Sequence, residues 1–289
     1  MPNGRMSFLT DVYSIWLREM TRYFRARSRV VISFVQPMTW LVIFGVGFSA
    51  SLGSSLQFAG STGTTNYLDF LVPGLLGFMA ILNSLTSSSG MSFMFDKQFG
   101  FLKEILVAPV ARSSILLGKA LVGTTAAMIQ GIVIVVVAAL LGVRLSGPLG
   151  LPAAFALVVV TMFFITMGFS ELGMSVGSQV ESIEGFQVVV VFLALPLSFL
   201  SGALFPVTSL PGWMEVLVDL NPLTYAVDAL RYAFTGLHAY PLTLDFGVIV
   251  GFFILMTIIG TPCLGTCIEI GVHGAPETTY ICSSAPFRS

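Results

Sequence analysis

Long apolar runs separated by short polar gaps dominate this chain. Six of them approach the ~20 residues a helix needs to cross a bilayer: 30–52, 69–93, 117–142, 152–178, 185–204 and 244–264. Ahead of the first, Leu9, Val12, Trp16, Met20 and Phe24 recur at helical spacing, while Asp11, Arg18, Arg22, Arg25 and Arg29 occupy the other side. An apolar stripe opposite a basic face predicts an interfacial helix over 8–29; a plain basic leader that only orients the chain is the alternative. Residues 205–243 are apolar too, but broken by Pro211 and Pro222, with Asn221 placed as a helix cap. They predict two helices of about 10 and 14 residues, roughly 15 and 21 Å long, too short for ~30 Å of hydrocarbon. Such helices enter one leaflet and return where protein covers the turn, with Glu215, Asp219, Asp228 and Arg231 facing the outer rim and Asp228 spaced to pair with Arg231 at i, i+3.

The predicted fold is therefore an all-α polytopic membrane protein with six transmembrane helices, an amino-terminal interfacial helix and two short re-entrant helices before the sixth span. Residues 1–29 form the interfacial helix region. Residues 30–264 form the spanning domain, with a loop at 94–116 and the re-entrant helices at 205–243. Residues 265–289 form an atypical tail.

Composition supports this reading and excludes a soluble one: 55% of residues are hydrophobic and 9% charged, against about 25% charged in soluble domains. Charge adds orientation. With the amino terminus inside, 11 of the 13 Lys and Arg fall on the cytoplasmic side, and Arg144 and Arg231 fall outside. A net charge of −1 gives no general affinity for nucleic acid. Pro37 and Pro196 should kink their spans. The polar run Asn83, Ser84, Thr86, Ser87, Ser88, Ser89 and the small residues Gly168, Gly173, Ser175 and Gly177 suit close helix packing, with a cavity lining as the alternative for the polar run.

Candidate chemistry is sparse. Between the second and third runs, Phe99, Leu102, Ile105 and Leu106 share one face of a short helix beside Lys103 and Glu104, and Pro109 ends it. This is a handle for a soluble partner, or else a helix that touches only lipid. Gly118-Lys119 lacks the upstream Gly and the following hydroxyl of a phosphate loop. Glu171 is the one acid well inside a span, hence a candidate cavity acid, and Asp69 reads as a helix amino-terminal charge. Only two histidines are present, His238 and His273. Cys263, Cys267, His273 and Cys282 match no common zinc spacing. No catalytic residue, metal or directly bound cofactor is expected.

The run Phe199-Leu200-Ser201-Gly202-Ala203-Leu204-Phe205-Pro206, then Leu210-Pro211-Gly212-Trp213, then 221–231 beginning Asn221-Pro222-Leu223-Thr224-Tyr225, resembles the carboxyl-terminal half of ABC type-2 export permeases of the daunorubicin-resistance and nodulation-factor type. Phe99-Gly100 through Pro109, Leu117-Gly118-Lys119 and the loop 181–187 resemble upstream parts of the same family. The resemblance implies a multi-pass permease of a prokaryotic plasma membrane, paired with a second copy or close paralogue. It would be driven by a separate ABC ATPase subunit that binds ATP and Mg.

The resemblance also implies that Gly100, Phe101, Leu102, Lys103, Glu104, Leu106, Ala108 and Pro109 form the helix seated in the ATPase. The interfacial helix with Trp16, Arg18, Arg22 and Arg25 would border that ATPase and membrane lipid. Gly202, Phe205, Pro206, Pro211, Trp213, Asn221, Pro222, Tyr225 and Arg231 would cap the path of a drug, lipid or saccharide cargo. A proton-coupled secondary transporter using Glu171 or Asp69 is the competing reading. The family pattern would close on a basic tail, whereas 261–289 reads as Pro-, Gly- and Cys-rich and loop-like.

Overall fold

The computed structural model describes residues 8–46, 67–86, 90–99, 111–143, 150–203 and 212–272. Every regular element among them is helical: α1 Phe8–Arg25, α2 Arg27–Trp40 with a π-helical continuation Leu41–Val46, α3 Tyr67–Thr86, α4 Gly90–Gln98, α5 Arg112–Leu140, α6 Leu151–Gln179, α7 Ile183–Leu200, α8 Gly212–Leu220, α9 Pro222–Thr235 and α10 Leu242–Val272. Five stretches are long and apolar enough to cross a membrane: Asp69–Gln98, Ser113–Leu140, Leu151–Gln179, Ile183–Leu200 and Leu242–Cys263. The predicted first span, 30–52, is described only as far as Val46, and its apolar helix Val30–Ile43 falls short of that length.

α3 is the hub of the bundle. Its Leu71, Val72, Leu75, Leu76 and Ile81 are fully buried, which requires neighbours on all sides; α5, α6, α7 and α9 supply them. One core cluster joins α3 to α5, α6 and α9 through Leu76, Ile134, Val158 and Leu230. A second ties α3 to α6, α7, α9 and α10 through Ile81, Phe169, Val190, Val227 and Ile249. A third, Phe93, Leu116 and Met174, closes the end where α4 finishes and α5 starts.

Small residues fix the close crossings, as the sequence suggested for α6. Gly168 faces Phe252, Gly173 faces the Leu85 backbone and Gly177 faces Gly90. Down the α6–α10 interface, Gly168 meets Phe252, Glu171 meets Thr257 and Ser175 meets Gly260, so the two helices run parallel. Of the polar run, Ser84 and Thr86 bond back to the carbonyls of Ala80 and Leu82 in their own helix. Asn83 reaches the Gln130 side chain, which itself donates to the Ser33 carbonyl. The hydroxyl contact Tyr23–Ser33 at 3.2 Å carries this polar chain to α1, joining four helices.

Two expectations need correction. α10 continues through Pro262 to Val272, so residues 261–272 are helical rather than loop-like; a proline inside a membrane helix costs less where neighbours re-satisfy the freed carbonyl. Asp11, expected on the outward basic face of α1, is buried together with Val12, Glu19, Met20 and Tyr23. α1 docks on α5, so polar complementarity to protein, as well as apolarity, sets its inward face. Leu9 and Phe24 of the predicted stripe are exposed instead.

Candidate functional site

At one end of the bundle, α1, α4 and α5 share a buried ionic node. Gly118 permits it: a Cβ there would sit 3.0 Å from Ile15 and 3.2 Å from the Val12 carbonyl, so the missing side chain lets α1 lie directly on α5. The Trp16 indole fixes the register by donating to the Thr125 hydroxyl at 3.0 Å.

Lys119, only 1% exposed, then faces the space between α1 and α4. Its ammonium donates to Asp96 Oδ2 at 2.5 Å and lies 3.9 Å from Glu19 Oε1. Ser92 donates to Glu19 Oε2 at 2.8 Å. Arg18 pairs with Glu19 at 2.8 Å and Arg22 with Asp96 at 3.3 Å, both guanidiniums staying half exposed. Next to these, Lys97 donates to the carbonyls of Ser178 and Val180 at 2.8 and 2.9 Å, tying the end of α4 to the end of α6. A cavity of about 300 Å³ opens beside the node, lined by Glu19, Arg22, Tyr23, Ser92, Phe95 and Phe99.

Burial works against the Glu19 carboxylate, but Lys119, Ser92 and Arg18 together outweigh it and hold the group below its ordinary value of 4.5. The sign follows from linkage: a depressed carboxyl contributes stability that is complete above the unfolded pKa and is lost as pH falls through the folded value. Acidification is therefore expected to loosen α1 only at pH below 4.5. Trp16 emission, followed in a variant with Trp40 and Trp213 replaced by Phe, should report this. A transition centred at or above that pH would contradict the assignment. Facing Glu19 are Lys119, Arg18, Arg22 and Asp96.

The node uses two sequence-predicted residues, Arg18 and Arg22, and assigns Trp16 a docking role; Arg25 is exposed. Sequence reasoning missed Glu19, Ser92 and Asp96, and met Lys119 only in the charge count, a failed phosphate-loop match and the family resemblance. One cue was available: an acid within the basic helix, an acid closing one apolar run and a lysine just inside the next all occur at the same end. The predicted partner-docking residues Gly100, Phe101, Leu102, Lys103, Glu104, Leu106, Ala108 and Pro109 lie outside the described residues, between the ends of α4 and α5.

At the opposite end, α8 and α9 appear with nearly the predicted lengths, 9 and 14 residues. The Asn221 side-chain carbonyl accepts from Leu223 N–H at 3.0 Å while its amide donates to the Leu197 carbonyl at 2.7 Å. Pro222 starts the helix and Gly236, at φ 77°, ends it. α9 is largely buried and α8 is not; Trp213 and Leu220 are exposed. Arg231 was expected to face a rim and pair with Asp228. Instead it points inward, donating to the Gly202 carbonyl at 3.0 Å and covering the Phe70 ring at 4.2 Å. Asp228 accepts from Ala239 and Tyr240 N–H at 2.9–3.0 Å, because the loop after α9 offers donors closer than the next helical turn does. Tyr225 bonds the Asp219 carbonyl at 2.8 Å. Phe205, Pro206 and Pro211 lie outside the described residues.

Glu171 is fully buried between α6 and α10. Thr257 donates to its Oε2 at 2.8 Å, and Oε1 has no partner among the described residues. Asp245, in the first turn of α10, is also fully buried with both oxygens unpartnered among the described residues. Gly173-Met174-Ser175-Val176-Gly177 matches the letters of a nucleophile elbow, but it lies inside α6 and Ser175 donates to the Glu171 carbonyl at 2.9 Å, so it is helix and not a strand-to-helix turn. No cluster of three metal-ligating side chains occurs among the described residues.

The family model described as ABC-2 type transporter matches residues 10–235. "Putative transport permease ycf38" of Cyanophora paradoxa is 31% identical over 229 residues, covering 79% of this chain and 75% of that one. Inner membrane transport permease YadH of Escherichia coli K12 is 28% identical over 247 residues, covering 85% and 91%. Daunorubicin resistance ABC transporter permease protein DrrB1 of Streptomyces coeruleorubidus is 27% identical over 203 residues, covering 70% and 67%. With apolar helices of membrane-crossing length and a family match that runs from α1 to the end of α9, this multi-pass membrane protein belongs to the ABC-2 type transporter family of permeases.

Proposed function

We propose that the chain is the membrane subunit of an ATP-driven exporter, with six spans, both termini inside and a separate ABC ATPase supplying the energy. The family match across 10–235 carries this reading. The chain itself offers no phosphate loop, so the nucleotide belongs on a partner. The charge asymmetry of the sequence puts residues 100–109 on the side where such a partner resides. Two copies, or one copy and a close paralogue, enclose the path, and α8 and α9 dip into the outer leaflet above it. The similarity to a daunorubicin resistance permease favours amphipathic cargo of the drug or lipid type.

The test is co-purification with the ATPase encoded nearby. Leu102→Asp, and charge reversal at Lys103 and Glu104, are expected to release the ATPase while leaving the permease in the membrane. Association unchanged in all of these variants would overturn the docking assignment.

A proton-coupled carrier is the second reading, favoured by one observation: the open Oε1 of the buried Glu171. Glu171→Gln keeps the acceptor for Thr257 and removes only the titratable proton. Transport in vesicles should survive this change and require ATP. Loss of a transport activity driven by a pH gradient alone would reverse the choice.

A further inference from the structure

We infer that Lys119 is a positioning residue that makes α1 and the two helices flanking residues 100–110 move as one body. α4 ends at Gln98 and α5 begins at Arg112, so any force applied to the segment between them is delivered to these two helix ends. Lys119 sits two turns into α5 and holds Asp96, in the last turn of α4, at 2.5 Å; it also holds Glu19 of α1 at 3.9 Å. Ser92 closes the triangle by donating to Glu19 at 2.8 Å and lying 3.4 Å from the Lys119 ammonium.

All three ionised groups are nearly removed from solvent. Nothing in apolar packing alone would require two carboxylates and a lysine here, and a buried ionic group best serves to fix register between elements. The consequence is specific. α1 is not a passive float on the lipid surface; it is a second lever on the same fulcrum as the coupling segment, and Arg18 and Arg22 extend the node to its exposed face.

The transport half of this inference rests on the exporter reading; the mechanical half does not, and the experiment separates them. The variant to use is the charge-free triple Glu19→Gln, Asp96→Asn, Lys119→Met. It removes the ionic attraction without leaving a buried charge alone, and so retains a route to a folded protein. Spin labels at Tyr13→Cys on α1 and Phe99→Cys after α4, both exposed positions, in a full-length background with Cys263, Cys267 and Cys282 replaced by Ser, read the tether directly without any partner. The parent should give one narrow distance distribution and the triple variant a broad one. With the ATPase bound and still hydrolysing ATP, cargo moved per ATP should fall by roughly tenfold, within the range coupling residues reach.

An unchanged distance distribution overturns the inference. So does a broadened distribution with transport per ATP intact, since the node would then hold α1 without transmitting anything. Broadening in a protein whose parent shows no ATP-driven transport leaves the tether established and sinks the exporter reading instead.

Discussion

Replacing Gly74 with alanine is expected to cost this protein its stable fold. Gly74 sits in α3, at its closest approach to the turn that follows α7. A Cβ there would lie 1.8 Å from the Ala203 carbonyl oxygen and 2.6 Å from its carbon. Both are backbone atoms, so no rotamer change relieves the overlap. The turn cannot retreat: Gly202 holds a left-handed φ of 71°, and its carbonyl is gripped by Arg231, which is itself packed over Phe70 of α3. α3 would therefore have to shift, and every neighbour of the hub would have to shift with it. Overpacking a core by one methyl usually costs about 1–3 kcal/mol, and a rigid backbone partner on the central helix places this case at or above the upper end.

The measurement is the thermal transition of the detergent-solubilised protein. Gly247→Ala is the matched control, since nothing lies within 4 Å of that position and its helix should gain slightly. A Gly74→Ala variant melting with the parent would mean that the α3 crossing is not as close as described.

That crossing also marks where sequence reading reached its limit. The long apolar runs announced the helices because a 20-residue apolar stretch has few other uses. The start of α9 was legible to the residue, since Asn221 and Pro222 are a cap and a first-turn proline whose effects are local. Three features of the site were not legible. Nothing local in the sequence distinguishes Gly74 from other small residues of a span, and only the path of a turn some 130 positions later makes it indispensable. Arg231 was spaced to pair with its helical neighbour Asp228, but local spacing cannot foresee that a loop amide and the Gly202 carbonyl compete better. The α1 stripe was read against lipid, whereas docking on α5 turned Asp11 and Glu19 inward. In each case periodicity defined the element, and a partner distant in sequence defined which of its faces matters.

The ionic node yields the other large effect. Lys119→Met should destabilise the protein by about 3–5 kcal/mol, the usual penalty for removing one partner of a buried ion pair. Its removal leaves Asp96 and Glu19 buried with no cation between them; among the described residues, the half-exposed Arg18 and Arg22 are the remaining ion-pair partners. The loss is not the worth of the lysine contacts themselves; most of it is the cost of two stranded carboxylates. The distinction is measurable, because neutralising the carboxylates as well should return most of the lost stability. Glu19→Gln, Asp96→Asn, Lys119→Met is thus expected to melt close to the parent and well above the single variant, a strongly non-additive outcome for groups in one network. If the triple variant is as unstable as Lys119→Met alone, the lysine acts through its packing and not its charge. If the single variant melts with the parent, the ammonium is not buried between these acids at all. A stable triple variant also makes the node's transmission role separable from stability, because transport per ATP can then be compared in two proteins of similar stability that differ in whether α1 is held by charge.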